Sequence, residues 1–272
     1  MSLPQFPMNI AHRGARSLAP ENTLAAARQA LAAGADMWEL DVTLTADGEL
    51  IVLHDDTLNR TTNVDALYPL RAPWKAHTFL LNEIRELDAG SWFVRQDPFG
   101  QIASGAVTRE VCDSYRGEKI PTLEEALLFT RDNDWRVNIE IKDLGKAPGN
   151  RIIVERVLYL VRKLEMAEQV LISSFNENYL IRSKQMSPHV ETAALVAMPA
   201  VLAARKLKYL HAKAYHPRKG AISPLRIRSL QQQGFAVNVW TVNEGSDLKR
   251  YIEWGVDGLI TDFPQRLQAM KK

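Results

Sequence analysis

Cysteine is nearly missing from this 272-residue sequence: Cys112 stands alone, so no internal disulfide can form and a reducing compartment is allowed. No apolar run approaches the roughly 20 residues that a membrane-spanning helix requires. Residues 1–9 lack the basic cluster and following apolar stretch of a secretory signal, and the expectation is a cytoplasmic protein. Glycine and proline are few, at 14 and 13, and charged residues make up 24%, which excludes collagen-like, disordered and disulfide-scaffold classes. A net excess of one charge is lacking too: 34 basic against 32 acidic residues gives +2, which points away from nucleic acid as a partner. Locally the balance breaks down. Between Glu191 and Glu244 there is no acidic residue, while Arg205, Lys206, Lys208, Lys213, Arg218, Lys219, Arg226 and Arg228 all fall there. One sector is therefore basic, with a solvated face as its ordinary reading and contact with a membrane surface as a secondary one.

Short β-like apolar runs recur at 8–11, 37–41, 137–141, 170–173, 192–196, 212–215, 236–241 and 258–261. Stretches of helical period follow them, at 22–33, 123–133, 151–164, 176–186, 199–206, 224–233, 246–254 and 265–271. Strand then helix, eight times over, predicts a (β/α)8 TIM barrel, whose usual size of about 250 residues suits one domain spanning 1–272. The repeat is interrupted after the second strand, where Asp47-Gly48 joins the arms 42–45 and 49–54 as a hairpin. From about 56 to 119 the chain is irregular and too long for an ordinary βα loop. It reads as a small insertion over the barrel mouth, with Trp92, Phe93 and Phe99 assigned to its own core rather than to a lipid-accepting rim.

Reacting groups of such barrels sit at the C-terminal ends of the strands. There the first strand offers His12-Arg13, the second Glu39-Leu40-Asp41 and the third Glu140-Ile141-Lys142, while His54 closes the hairpin beside Asp55. The two-residue alternation of a strand puts Glu39 with Asp41, and Glu140 with Lys142, on common faces. Three carboxylates on one rim repel each other, and an all-oxygen set suits one hard divalent cation, Mg²⁺ or Ca²⁺, so Glu39, Asp41 and Glu140 are the expected metal ligands. Arg13 and Lys142 suit an anionic substrate, and two histidines can serve as general acid and base near neutral pH.

Taken together, His12-Arg13-Gly14, Pro20-Glu21-Asn22-Thr23, Glu39-Leu40-Asp41, His54-Asp55 and Glu140-Ile141-Lys142 resemble the glycerophosphodiester phosphodiesterase family. Further matches are Ser174-Phe175, Val239-Trp240-Thr241-Val242-Asn243, Gly255-Val256-Asp257-Gly258 and Thr261-Asp262, so the resemblance spans essentially the whole chain. It implies a barrel with an insertion after the second strand and cation-dependent hydrolysis of glycerophosphodiesters to glycerol 3-phosphate and an alcohol. It also implies His12 and His54 as the acid–base pair, Arg13 and Lys142 as phosphate-binding positions, and Trp240 and Phe175 as walls of the substrate site. Glu21 and Asn22 are expected to support the site, by orienting His12 or Arg13 or by capping the first helix. The segment 97–117 is longer than in many relatives and bears on substrate choice. Two alternatives stand beside this reading: a lysophospholipase D-type activity on lysophospholipids, and a non-catalytic barrel that binds a phosphometabolite. Which histidine is the base, whether water or the glycerol 2-hydroxyl attacks, and the oligomeric state are left open by the sequence.

Overall fold

Eight strands of this chain carry an apolar face that must be covered by helices, and they withdraw the other face from water by closing on themselves. In the computed structural model, which describes residues 6–271, the strands are β1 (Met8–Ala11), β2 (Met37–Leu44), β3 (Leu50–Val52), β4 (Val137–Ile141), β5 (Val170–Ser174), β6 (Glu191–Val196), β7 (Ala214–Pro217), β8 (Ala236–Val239) and β9 (Gly258–Thr261). Residues 1–5, which open the 1–9 segment considered above, and residue 272 lie outside the described residues. All strands but β3 pair in parallel, in the order β1-β2-β4-β5-β6-β7-β8-β9, and β9 returns to β1, which closes a (β/α)8 barrel. β3 runs antiparallel along β2, with Val42 opposite Val52, so the Asp47-Gly48 hairpin forms as read from the sequence.

Ile10, Met37, Leu171, Ala193, Ala214 and Ile260 fill the barrel axis. The outward faces of the same strands pack under the helices in two large apolar clusters. Helix Leu123–Asp132 illustrates how local sequence fixes these units. The Thr122 hydroxyl accepts from the Glu125 amide at 3.1 Å and the Glu125 carboxylate accepts from the Thr122 amide at 2.8 Å. Such a cap is worth about 1 kcal/mol.

Several boundaries differ from the sequence reading. The first helix begins at Leu24 with Thr23 as its cap, not at Asn22, because the Thr23 hydroxyl takes the Ala26 amide at 3.2 Å. The sixth barrel strand, β7, is Ala214–Pro217 rather than 212–215, since it aligns with β6 through His216 opposite Leu195. The helix expected at 199–206 forms at Ala203–Leu210, and Met198, Val201 and Leu202 instead stand exposed in the preceding turn. The insertion is not irregular throughout. It holds short helices at Val64–Leu67 and Leu81–Ile84, around an apolar cluster that includes Leu58, Phe79 and Ile84, and two more at Ser91–Gln96 and Arg109–Ser114. Trp92 and Phe93 are buried with Cys112 and Tyr115, against Ala25 and Ala26 of the first barrel helix. Phe99 departs from the core assignment. It is half-buried and packs edge-to-face on Phe263 at 5.5 Å, with the Arg16 guanidinium 5.3 Å from its ring centre.

Candidate active site

At the C-terminal mouth of the barrel a cavity of about 120 Å³ gathers His12, Arg13, Glu39, His54, Glu140 and Lys142, with Phe175 and Trp240 along its wall. Asp41 lies behind this lining, 1% exposed at its side chain. One oxygen each from Glu39, Asp41 and Glu140 lies within 4.8 Å of the other two. The cause is register: Asp41 of β2 stands opposite Glu140 of β4, and Glu39 follows on the same face of β2. Burial, then the charges of Asp41 and Glu140, push the Glu39 carboxyl well above the usual carboxylate range. Burial and Asp41 likewise raise Glu140. Asp41 goes the other way, because Arg13, Lys142 and His54 overcome its burial and hold it low. Two carboxyls strained toward protonation beside a third that stays ionised make a set that a hard cation would relieve, so the donors fit one.

Two cations are built into the same rim. Lys142 donates to Glu140 Oε1 at 2.8 Å and sits 3.4 Å from Asp41 Oδ1; burial opposes its charge, but those two acids keep it fully protonated. Arg13 occupies a left-handed turn (φ 55°) after β1, where its amide donates to Glu39 Oε2 at 2.9 Å. The turn is possible because Gly14 follows at φ 79°; a Cβ there would lie 2.6 Å from the Cβ of Ala26. The Arg13 guanidinium donates to Glu21 Oε1 at 2.8 Å and lies 3.3 Å from Asp41. Among the described residues its second amino group, Nη2, has no protein partner.

Glu21 and Asn22 differ in what they do. Glu21 is the hub of three arginines, Arg13, Arg16 and Arg60, at 2.8, 2.7 and 2.6 Å, and their charges overcome its burial to hold it at about 2. Asn22 neither caps the helix nor touches His12. Its side-chain amide donates to Asp41 Oδ2 at 2.9 Å and its carbonyl accepts from the Asp41 amide at 3.2 Å.

Both histidines are held through Nδ1. His12 donates to Asp262 Oδ1 at 2.6 Å and His54 to Asp55 Oδ1 at 2.6 Å, which assigns a proton to Nδ1 of each ring and leaves Nε2 as the nitrogen not engaged by these carboxylates. Burial lowers the His12 pKa, and the Asp262 charge opposes that fall. Asp262 itself is held at about 2 against its burial by His12, Arg16 and a 2.7 Å bond from the Asn243 amide. Asp262, Asp55, Arg16 and Arg60 carry these contacts without having been singled out for a role from the sequence. The strand-end rule could have found Asp262, because it stands directly after β9, two residues beyond the inward-facing Ile260. Asn138, Leu195, Thr241 and Ile260 also line the cavity unforeseen. Phe175, 45% exposed, meets Trp240 edge-to-face at 5.6 Å, and the Trp240 indole donates to the His216 carbonyl at 2.7 Å.

A parallel barrel whose mouth combines acidic, imidazole and cationic groups defines an enzyme suited to charged esters. Residues 12–266 match the model of the Glycerophosphoryl diester phosphodiesterase family. The chain is 37% identical over 95% of both chains to a glycerophosphodiester phosphodiesterase of Caldanaerobacter subterraneus subsp. tengcongensis. It is 36% identical over 97% of both to one of Bacillus altitudinis. An Oleispira antarctica phosphodiesterase, solved in complex with the product sn-glycerol-3-phosphate, superposes with a TM-score of 0.81 at 26% identity, over 98% of each chain. The chain belongs to the glycerophosphoryl diester phosphodiesterase family, and it is an enzyme of the phosphoric diester hydrolase class.

Proposed function

We propose that this chain hydrolyses small glycerophosphodiesters to glycerol 3-phosphate and an alcohol, with Glu39, Asp41 and Glu140 holding one divalent cation, Mg²⁺ or Ca²⁺. The observation that carries the reading is the meeting, in one cavity, of two carboxylate-tethered imidazoles with an acidic trio and two fixed cations. The product held by the Oleispira antarctica neighbour supports the same choice of substrate. A bound cation would supply Lewis-acid pull on a non-bridging phosphate oxygen. Arg13, through its unpartnered Nη2, and Lys142, through the ammonium protons left over from Glu140 and Asp41, hold the phosphate and stabilise the charge that grows on it. Of His12 and His54, one takes the proton of the nucleophile at Nε2 and the other, protonated there, gives a proton to the leaving alcohol oxygen. Asp262 and Asp55 hold the Nδ1 proton of each ring, which reserves Nε2 for both transfers. Phe175 and Trp240 wall the alcohol side. The exposed ring of Phe175, packed on the partly buried Trp240, also favours, as a second reading, a lysophospholipid with its acyl chain leaving over this wall.

In this account the chain works as one catalytic domain, with 56–119 as a subdomain of it. Among the described residues no helix is long and apolar enough to cross a membrane, and together with the lone cysteine this supports work in the cytoplasm. The test is a coupled assay for glycerol 3-phosphate released from glycerophosphocholine and glycerophosphoethanolamine. His12→Ala and His54→Ala are each expected to lose about 10²-fold or more. Undiminished release in either variant would refute the acid–base pair, and binding with no release in the parent would favour a non-catalytic barrel.

A further inference from the structure

The basic sector and the misplaced helix of the sequence reading meet at one place, the turns that follow β6 and β7. These turns lie on the same C-terminal face of the barrel as the catalytic cavity, because all barrel strands are parallel. After β6, Met198, Val201 and Leu202 are 73%, 79% and 62% exposed, and after β7 Leu225, in the first turn of helix Pro224–Gln231, is 78% exposed. The two turns adjoin across a cleft lined by Pro199, Val201, Ile222 and Arg226. The second of them touches the catalytic wall, since Arg218 bridges to Trp240. Large apolar side chains this exposed, clustered at loop tips, mark a contact surface rather than ordinary scatter.

The charge around the patch says what kind of contact. Arg205 stands in the first turn of helix Ala203–Leu210, Arg218 directly after β7, and Arg226 beside Leu225. Among the described residues these three pair with no carboxylate. Only the flanks are compensated, Lys206 by Glu177 at 2.7 Å and Lys219 by Asp247 at 3.3 Å. Apolar tips that can enter the acyl boundary, ringed by unpaired guanidinium groups that lie at headgroup level, match an anionic bilayer surface.

The geometry points to the turns 197–202 and 218–226 as a docking surface for an anionic membrane, which sets the mouth of the catalytic cavity against the bilayer. Binding of this kind is separate from turnover and stands whichever phosphodiester the cavity cleaves. The test is co-sedimentation of the full chain with phosphatidylcholine vesicles, with and without phosphatidylglycerol, at low and moderate salt. The parent binds the phosphatidylglycerol vesicles, and binding weakens as salt rises. Each basic residue near such a surface contributes about fivefold in partitioning, so Arg205→Gln, Arg218→Gln and Arg226→Gln combined lose about 100-fold. Met198→Ser, Val201→Ser, Leu202→Ser and Leu225→Ser combined lose at least about tenfold. Both sets keep the parent's release of glycerol 3-phosphate from a soluble diester, which separates lost docking from lost folding. No binding to anionic vesicles at low salt overturns the proposal, as does binding that both sets leave unchanged. A dimer in sedimentation velocity that the serine set dissolves also overturns it, by showing that a second copy covers the patch.

Discussion

Replacing Asp262 by asparagine probes the link between this fold and its chemistry without altering a group that meets the phosphate. The Asp262 carboxylate takes the His12 Nδ1 proton at 2.6 Å, and its charge is the largest influence that opposes the lowering of the His12 pKa by burial. A charge-assisted bond of this kind contributes about 1.5–3 kcal/mol, which corresponds to roughly 10- to 150-fold in the population or reactivity of an imidazolium. Asparagine brings a second loss. Its amide can donate to Nδ1 and so favour the tautomer protonated at Nε2, which has no lone pair there to take up a proton at any step of the cycle; the comparable exchange in a serine-protease triad costs about 10⁴. The expected fall in kcat/KM for Asp262→Asn is therefore about 10² to 10⁴. The pH–rate profile, from glycerol 3-phosphate release on glycerophosphocholine, should show the His12 limb moved to lower pH. Loss of the carboxylate leaves burial unopposed, and burial disfavours the charged ring. A loss below about threefold with an unmoved profile would refute the reasoning, since His12 would then need no carboxylate.

Other consequences are open to direct measurement. Glu21, held at about 2 against an ordinary 4.5, is depressed in the folded state. Its stabilisation is therefore complete above pH 4.5 and fades as pH falls through about 2, with a size of about 3 kcal/mol. In urea unfolding, Glu21→Gln should fall short of the parent by that order at pH 7, with the gap narrowing as pH approaches 2; a gap independent of pH would contradict the arginine hub. A Cβ at Gly90 would lie 1.7 Å from the Tyr115 carbonyl oxygen, so Gly90→Ala should cost at least about 2 kcal/mol, read as a lowered Tm. Trp240→Phe keeps an aromatic wall against Phe175 but loses the indole bond to the His216 carbonyl. Its KM for glycerophosphocholine should rise about three- to tenfold with kcat nearly unchanged, and an equal fall in kcat would place Trp240 in the chemistry instead.

The fold was legible in the sequence wherever one rule decided the outcome. Strands such as Val137–Ile141 and Val170–Ser174 set Val137, Ile139 and Ile141, or Val170 and Ile172, on the face that meets the helices and are bounded by turns, so existence and order followed from pattern alone. Boundaries were less legible where two signals competed. Pro199 marks a helix start by its fixed φ, yet the helix waits for Ala203, because 198–202 holds apolar side chains out toward solvent. Two helices of the insertion, Val64–Leu67 and Leu81–Ile84, are single turns stabilised by their shared cluster, and a four-residue helix leaves no periodicity to read. The carboxylates, histidines and cations that line the mouth could be named because strand ends converge in any barrel of this type. What hid were the groups that hold them. Asp262 meets His12 across 250 residues and Arg60 meets Glu21 across 39, so only closure of the barrel and the fold of the insertion bring them together.

The central claim is that Glu39, Asp41 and Glu140 hold the cation on which hydrolysis depends. It is tested most directly by stripping the protein of metal with a chelator and titrating Mg²⁺ or Ca²⁺ back, while bound ion and glycerol 3-phosphate release are followed together. The account predicts no release from the stripped protein, activity that rises in proportion to one ion bound per chain, and loss of both in Asp41→Asn. Full release from protein free of metal would contradict it.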